Sequence, residues 1–234
     1  MLSTEVFVNK YGTLSEEGLY SGYISDSNAN NSVFIVSKNP VGDSFPGIVT
    51  AVITLSDDSQ RLVVSPRGEI MYEPDILDRL SKLKTLKINK ISCLYEKSCG
   101  AVILHRDRRS GEIMVLMVRN NNGRFYSFPK GHVEFNEHEK ETAVREIKEE
   151  TDLDVKILDG FREVSDYCPF GKIRKRVVFF LAVADSNRVK VQESEIAAYN
   201  WVPLQTARGA CNYDNDCRII DKVRQYLSEN PDKV

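Results

Sequence analysis

The sequence lacks the features that would tie a chain to a bilayer, a thiolate framework or a long polyanion. No apolar run approaches the roughly 20 residues that a membrane helix requires; the longest lies at residues 177–184. Charge of neither sign is in excess. The 32 Lys and Arg stand against 34 Asp and Glu, a formal net charge of −2, so no bulk field exists to hold a long nucleic acid or an anionic membrane. Histidine is scarce, with His105, His132 and His138 the whole complement. The five cysteines form two wide pairs, Cys93 with Cys99 and Cys211 with Cys217, and leave Cys168 over. Zinc sites use tighter pairs with histidines close by, so reduced thiols packed as small hydrophobes are expected. Behind Met1 stand Glu5, Asn9 and Lys10 rather than an apolar stretch flanked by positive charge. No secretory leader is expected, and the expected location is cytoplasmic.

What is present is an ordinary globular composition, 234 residues with 41% hydrophobic and 28% charged side chains. A chain of this size buries roughly 70% of the surface its unfolded form exposes and needs no staples. Residues 1–92 read as a β-rich domain. Apolar runs at 33–36 and 48–55 and a return at 61–65 flank the turn Asp57, Asp58, Ser59. A short helix follows, with Ile76, Leu77, Leu80 and Leu83 at helical spacing behind Pro74. The stretch 82–90 is basic, and the boundary is placed after it. Residues 93–234 alternate strands at 99–104, 113–118, 155–158, 162–165, 177–184 and 199–202 with helices at 137–151 and 216–227. An α/β sandwich is the expected architecture.

The chemistry concentrates in one helix. Residues 137–151 hold no glycine or proline, and Glu146, Glu149 and Glu150 stand three and four positions apart, within reach of one side. Three gathered carboxylates repel one another and call for a cation, and hard oxygen ligands suit Mg²⁺ or Mn²⁺. A charged helix face is by itself more commonly just solvated, so the wider pattern decides. Gly131, five residues, Glu137, seven residues, then Arg145, Glu146, Ile147, Glu149 and Glu150, with Leu153 beyond, resembles the signature box of the Nudix hydrolases. The single departure is Asp152 where that family has glycine at the helix end. A left-handed residue is common there, and Asp tolerates that conformation better than most.

The resemblance implies a Nudix α/β/α sandwich, a mixed sheet between helices, with a smaller N-terminal β-barrel-like domain. It implies hydrolysis of a nucleoside diphosphate linked to a second group, by water attack on phosphorus with Mg²⁺ or Mn²⁺. Carried over residue by residue, Glu146, Glu149 and Glu150 are metal ligands or base, with the carbonyl at Lys130 or Gly131 assisting. Glu137 and Arg145 are a structural pair.

The loop Phe128, Pro129, Lys130, Gly131, His132, Val133, Glu134 is similar to that of the asymmetric diadenosine tetraphosphate hydrolases. It implies phosphate contacts from Lys130 and His132. Downstream, Tyr167 is a candidate for stacking on adenine, with Phe170 and Tyr126 as further candidates. Lys172, Arg174, Lys175 and Arg176 form a basic cluster, of which Lys175 and Arg176 are taken as substrate contacts. Glu195, six positions before Trp201, is a candidate catalytic carboxylate near the metals, and Trp201 reads as core. The expected substrate is therefore a small dinucleoside polyphosphate, diadenosine tetraphosphate giving ATP and AMP. An RNA 5′-pyrophosphohydrolase, another nucleotide pyrophosphatase, and a nucleotide sensor without turnover are the alternatives.

The segment from Phe45 to Pro66 resembles part of the barrel of family I inorganic pyrophosphatases. Those enzymes need an aspartate-rich metal cluster, and the corresponding stretch from Asn28 to Ile35 offers asparagines and a serine. Neutral amides do not replace that charge, so a degenerate barrel serving packing, homodimerisation or substrate presentation is expected.

Overall fold

A computed structural model describes residues 3–15, 18–26, 29–169, 171 and 173–233. Asn28, Phe170 and Lys172, named above, lie outside them. The chain divides into two compact units, Met1–Glu96 with Tyr167–Lys175, and Lys97–Asp166 with Arg176–Val234. No helix among the described residues is long and apolar enough to cross a membrane.

The first unit is built on β1 (Ser3–Ser15), β2 (Leu19–Asp26), β3 (Ala29–Val36), β4 (Ser44–Leu55), β5 (Gln60–Pro66), α1 (Glu73–Ser81) and β6 (Ile88–Cys93). Strand order is β1-β2-β3-β5-β4-β6, and an additional β1–β4 pairing closes the first five into a ring. β3 and β5 run parallel, and the other pairs are antiparallel. Closure removes the exposed edges that an open sheet of this size would leave. The β4–β5 turn forms because Asp57 accepts the Ser59 N–H at 3.0 Å and its hydroxyl at 2.6 Å, while Asp58 takes φ 61°. α1 starts at Glu73 and carries Pro74 in its first turn, where the missing N–H has no helical partner to lose. It buries Ile76 and Leu80 against Leu19, Val36, Ile53 and Val63. The basic stretch 82–90 carries more core than its sequence suggests. It leads into β6, whose Ile88, Ile91 and Cys93 pack on the same cluster.

The second unit is built on β7 (Tyr95–Arg106), β8 (Ile113–Asn120), β9 (Lys130–His132), α2 (Glu139–Thr151), β10 (Val155–Tyr167), β11 (Arg174–Ala184), β12 (Ile196–Pro203), α3 (Leu204–Ala210) and α4 (Asp214–Glu229). The sheet order is β10-β11-β7-β8-β12, with the short β9 added to β7. Both faces are buried. Cys99, Ala101 and Ile103 of β7 and Val178, Phe180 and Ala182 of β11 pack under α2, through Ala143 and Ile147. The alternate residues Val102, Leu104, Val177, Phe179 and Leu181 pack under α3 and α4, through Leu204, Ala207, Ile219, Ile220 and Val223. Double burial makes these strands read as continuous apolar runs rather than alternating ones. Phe128 seals the second face next to the loop before β9, edge-on to Phe179 with ring centroids 5.5 Å apart.

Several elements differ from the sequence reading. α2 begins at Glu139 rather than 137, because Asn136 takes φ 61° and Glu137 gives its carboxylate to the loop and to Arg145. β10 is one strand across the expected break, with Gly160 at φ 93° inside it. α3 has too short and mixed a pattern to be read in advance. Asp152 behaves as expected: it caps α2 in the left-handed region, φ 57° and ψ 15°, and its N–H donates to the Lys148 carbonyl.

Candidate active site

The site grows from the junction of β9 with α2. β9 is pinned to β7 by the pairs Ser98 with His132, Cys99 with Gly131, and Gly100 with Lys130. Strand alternation then sends the Lys130 and His132 side chains to one face and turns Gly131 toward the other. On that other face stands Glu146, and a Cβ at position 131 would run into its carboxylate. Glycine here leaves the Glu146 carboxylate in its place, and a side chain at 131 would displace it.

Arg145 is the hub that orients the helix. Its Nε donates to Glu137 Oε1 at 2.5 Å and its Nη2 to Glu137 Oε2 at 2.9 Å. Nη2 also donates to the His132 carbonyl at 2.9 Å, while Nη1 serves Glu146 at 2.9 Å and Glu149 at 3.1 Å. Glu137 further accepts from the Glu134 N–H at 3.1 Å and the Thr142 hydroxyl at 2.8 Å. This donor set, the guanidinium foremost, holds the Glu137 carboxyl down at about 2. A group so firmly ionised and occupied binds helix to loop and does not exchange protons near neutrality.

The other carboxylates behave in the opposite way. Glu150 is 2% exposed and Glu146 is 8% exposed, whereas Glu149 faces solvent. Desolvation pushes the Glu150 carboxyl up to about 7, opposed by the Lys130 charge and by its N–H, which donates to Oε2 at 3.2 Å. Glu146 is raised as well, by desolvation first, against the pull of Arg145. The charge of Glu195 raises both. The loop carrying Glu195 is fixed beside the end of α2. The Gln192 N–H donates to the Glu150 carbonyl at 3.2 Å, and the Asn121 N–H to the Glu195 carbonyl at 2.8 Å. Buried carboxylates with raised proton affinity and hard oxygen donors are the set that a divalent cation satisfies. Among the described residues, no three His, Cys, Asp or Glu side chains converge on one point as they stand. Arg145 Nη1 holds Glu146 and Glu149 together. The residues that would hold a divalent ion here are Glu146, Glu149 and Glu150, with the Gly131 carbonyl.

The remaining residues singled out in the sequence are distributed unevenly. Lys130 is half-buried and His132 exposed. Tyr167, 38% exposed, and Lys175, 3.5 Å from Glu96, fall in the first compact unit. Arg176 holds Asp166 in a two-pronged pair at 2.8 and 2.7 Å. Tyr126 packs against the core on the α4 side, and Trp201 against the other cluster, its ring N–H on the Asn187 carbonyl at 3.1 Å. Two features escaped the sequence reading. Phe125 and Tyr213 form an exposed edge-to-face pair, centroids 5.7 Å apart, joining positions too distant in sequence to be matched. Asp216 lies 5% exposed under the loop, its Oδ2 accepting from the Ser127 hydroxyl at 2.9 Å. In sequence it looks like any acid in a first helical turn.

Comparison with known proteins gives this geometry its family. The NUDIX domain family matches residues 95–221. The chain is 30% identical over 141 residues to the asymmetrical bis(5′-nucleosyl)-tetraphosphatase of Sus scrofa, covering 56% of this chain and 95% of the relative. It is 29% identical to the Mus musculus protein of the same description, covering 58% and 97%. Among solved structures, an Ap4A hydrolase of C. elegans in a binary complex is 27% identical, covers 57% of this chain and 98% of its own, and superposes with a TM-score of 0.53. The chain belongs to the Nudix family. It is a Nudix pyrophosphohydrolase, and it resembles the branch of the asymmetric Ap4A hydrolases.

Proposed function

We propose that this enzyme hydrolyses dinucleoside polyphosphates, cutting diadenosine tetraphosphate to ATP and AMP with Mg²⁺ or Mn²⁺. The observation that carries the reading is β9: its Lys130 N–H donates to Glu150 and its central Gly131 abuts Glu146, so the segment bearing Lys130 and His132 is held against the acidic helix. Cationic and hydrogen-bonding side chains for a phosphate chain thus stand one residue from the acidic helix. The similarity to proteins described as asymmetrical tetraphosphatases supports it.

In this reading Glu146, Glu149 and Glu150 hold the divalent ion, with the Gly131 carbonyl assisting. The ion supplies charge neutralisation on the phosphate oxygens and a more acidic bound water. Glu195, whose charge acts on both Glu146 and Glu150, is assigned here as the catalytic carboxylate that takes the proton from the attacking water. Lys130 and His132 orient the phosphates. Tyr167, Lys175 and Arg176 contribute to substrate affinity and not to the chemical step, so their alanine variants raise KM and leave kcat nearly unchanged. The 1–92 barrel is a packing or dimerisation module with no hydrolytic role, and the cytoplasm is the compartment that suits the nucleotide and the reduced thiols.

The test compares kcat/KM for diadenosine tetraphosphate, ADP-ribose, NADH and a 5′-triphosphorylated oligonucleotide, with and without Mg²⁺. The reading expects the tetraphosphate to lead and all activity to need the metal. A lead for ADP-ribose overturns it, and a lead for the oligonucleotide replaces it with RNA 5′-end processing.

A further inference from the structure

One polar group of the second unit is left unused by the residues described above. Ser98 stands on β7, 1% exposed, and among the described residues its buried hydroxyl meets no hydrogen-bond partner. Taking a hydroxyl out of water unpaired is unfavourable, so such a group calls for a partner that the fold does not supply. Its place in the sheet says which kind. Cys99, Ala101 and Ile103 of β7 pack on the α2 side, whereas Val102 and Leu104 pack on the other. Alternation therefore puts Ser98 and Gly100 on the face turned away from α2. β9 runs antiparallel to this stretch, with Ser98 opposite His132 and Gly100 opposite Lys130. Residues directly opposite in an antiparallel pair point to one face, their Cβ atoms about 4.5–5.5 Å apart. Position 100 shows the same arrangement. A Cβ there would stand 2.6 Å from the Lys130 Cβ, so this glycine leaves the room that the lysine stem fills. The register is fastened on both sides of β9. The Ala101 N–H donates to the Pro129 carbonyl at 3.3 Å, and the Val133 N–H donates to the Lys97 carbonyl at 3.2 Å. The unpaired hydroxyl thus shares one face of the β7–β9 pair with Lys130 and His132.

We infer that Ser98 is a third phosphate contact: its hydroxyl donates to an oxygen of the same polyphosphate chain that Lys130 and His132 hold. The inference deepens the reading of Lys130 and His132 as phosphate contacts and rests on it. A phosphate oxygen is the acceptor that an unpaired hydroxyl lacks, and a hydrogen bond to a charged acceptor is stronger than one between neutral groups. Lys130 is half-buried and His132 exposed. Rotamer changes in these two side chains open the way to the hydroxyl as the phosphates enter. The free protein already carries the cost of the unpaired group, and the ligand relieves it. The new bond therefore contributes to affinity without a further desolvation cost on the protein side.

The test compares the full chain with its Ser98→Ala variant. Titration calorimetry of tripolyphosphate in excess Mg²⁺ is expected to give a Kd about tenfold higher for the variant. KM for diadenosine tetraphosphate should rise by a similar factor while kcat falls less than about twofold. Melting of the ligand-free proteins separates this role from a structural one. A hydroxyl left unpaired until a ligand arrives costs the free protein stability, so the variant should melt at the same temperature or a few degrees higher. A hydroxyl satisfied inside the fold, by a buried water for example, gives the opposite sign when it is removed. A lower melting temperature overturns the inference, and so does an unchanged Kd for tripolyphosphate. A wild type that binds tripolyphosphate but leaves diadenosine tetraphosphate intact refutes the substrate reading alone, and the two Kd values then decide the role of Ser98. A wild type that does not bind tripolyphosphate overturns the inference itself.

Discussion

Replacing Glu150 by glutamine removes one negative charge, at nearly constant shape, from a side chain that is 2% exposed. Without metal, the fold raises the Glu150 carboxyl from 4.5 to about 7, chiefly by desolvation. At about 1.4 kcal/mol for each tenfold change in proton affinity, the ionised form destabilises the metal-free protein by about 3 kcal/mol once the pH is well above 7. Glutamine removes that term. It still accepts the Lys130 N–H, but its amide hydrogens need partners, and an unsatisfied buried donor costs about 1–3 kcal/mol. The net expectation is a metal-free variant about 1 kcal/mol more stable than wild type at pH 8, a rise of about 2–4 °C in Tm for a chain of this size. The sign follows from the direction of the shift. The penalty is absent well below pH 4.5, grows as the pH rises from about 4.5 to about 7, and is constant above that. Scanning calorimetry in EDTA from pH 5 to 8 measures it. Saturating Mg²⁺ should reverse the order, because only the wild type keeps every carboxylate of the proposed ligand set. Turnover in the variant should fall by about 10² or more. A variant less stable than wild type in EDTA at pH 8, or one with near wild-type turnover, refutes the reasoning.

Gly131→Ala should lower turnover sharply while far-ultraviolet circular dichroism stays unchanged, because the new methyl collides with the Glu146 carboxylate. Phe128→Ala removes a 1% exposed ring packed edge-on against Phe179 and should cost about 3–5 kcal/mol in urea unfolding. Asp152→Gly relieves the left-handed strain at φ 57° but loses the exposed pair with Lys148 at 2.9 Å. A net gain of about 0.5–1 kcal/mol is expected from these opposed terms, read as a higher urea midpoint.

Much of the acidic helix was legible in the sequence, because its chemistry needs fixed residue types at fixed helical spacing. Glu137, Arg145 and the three later carboxylates could be named in advance, and so could the left-handed end at Asp152. The glycine at 131 was legible as part of the motif, but its physical reason, contact with Glu146, appears only when β9 is laid beside α2. β9 itself escaped notice, since three residues carry no periodicity. The division of the three carboxylates into two buried and one exposed was hidden for a related reason: spacing gives the face of a helix but not what covers it. Asp216, Ser127 and the Phe125–Tyr213 pair join positions some 90 residues apart, a relation that no local pattern encodes. The apolar strands at 99–104 and 177–184 were readable because burial on both faces leaves an uninterrupted signal. The stretch 82–90 misled because its lysines mask the sparser apolar residues that continue into β6.

The central claim is that the acidic helix and the loop from Phe128 to Glu134 together cut a polyphosphate chain at one end, with a metal. It is tested most directly by incubating the enzyme with diadenosine tetraphosphate and Mg²⁺ and separating the products by ion exchange. The account predicts equal amounts of ATP and AMP, with nothing formed in EDTA and a rate about 10² or more lower for Glu150→Gln. Two molecules of ADP, or cleavage that proceeds undiminished in EDTA, would contradict it.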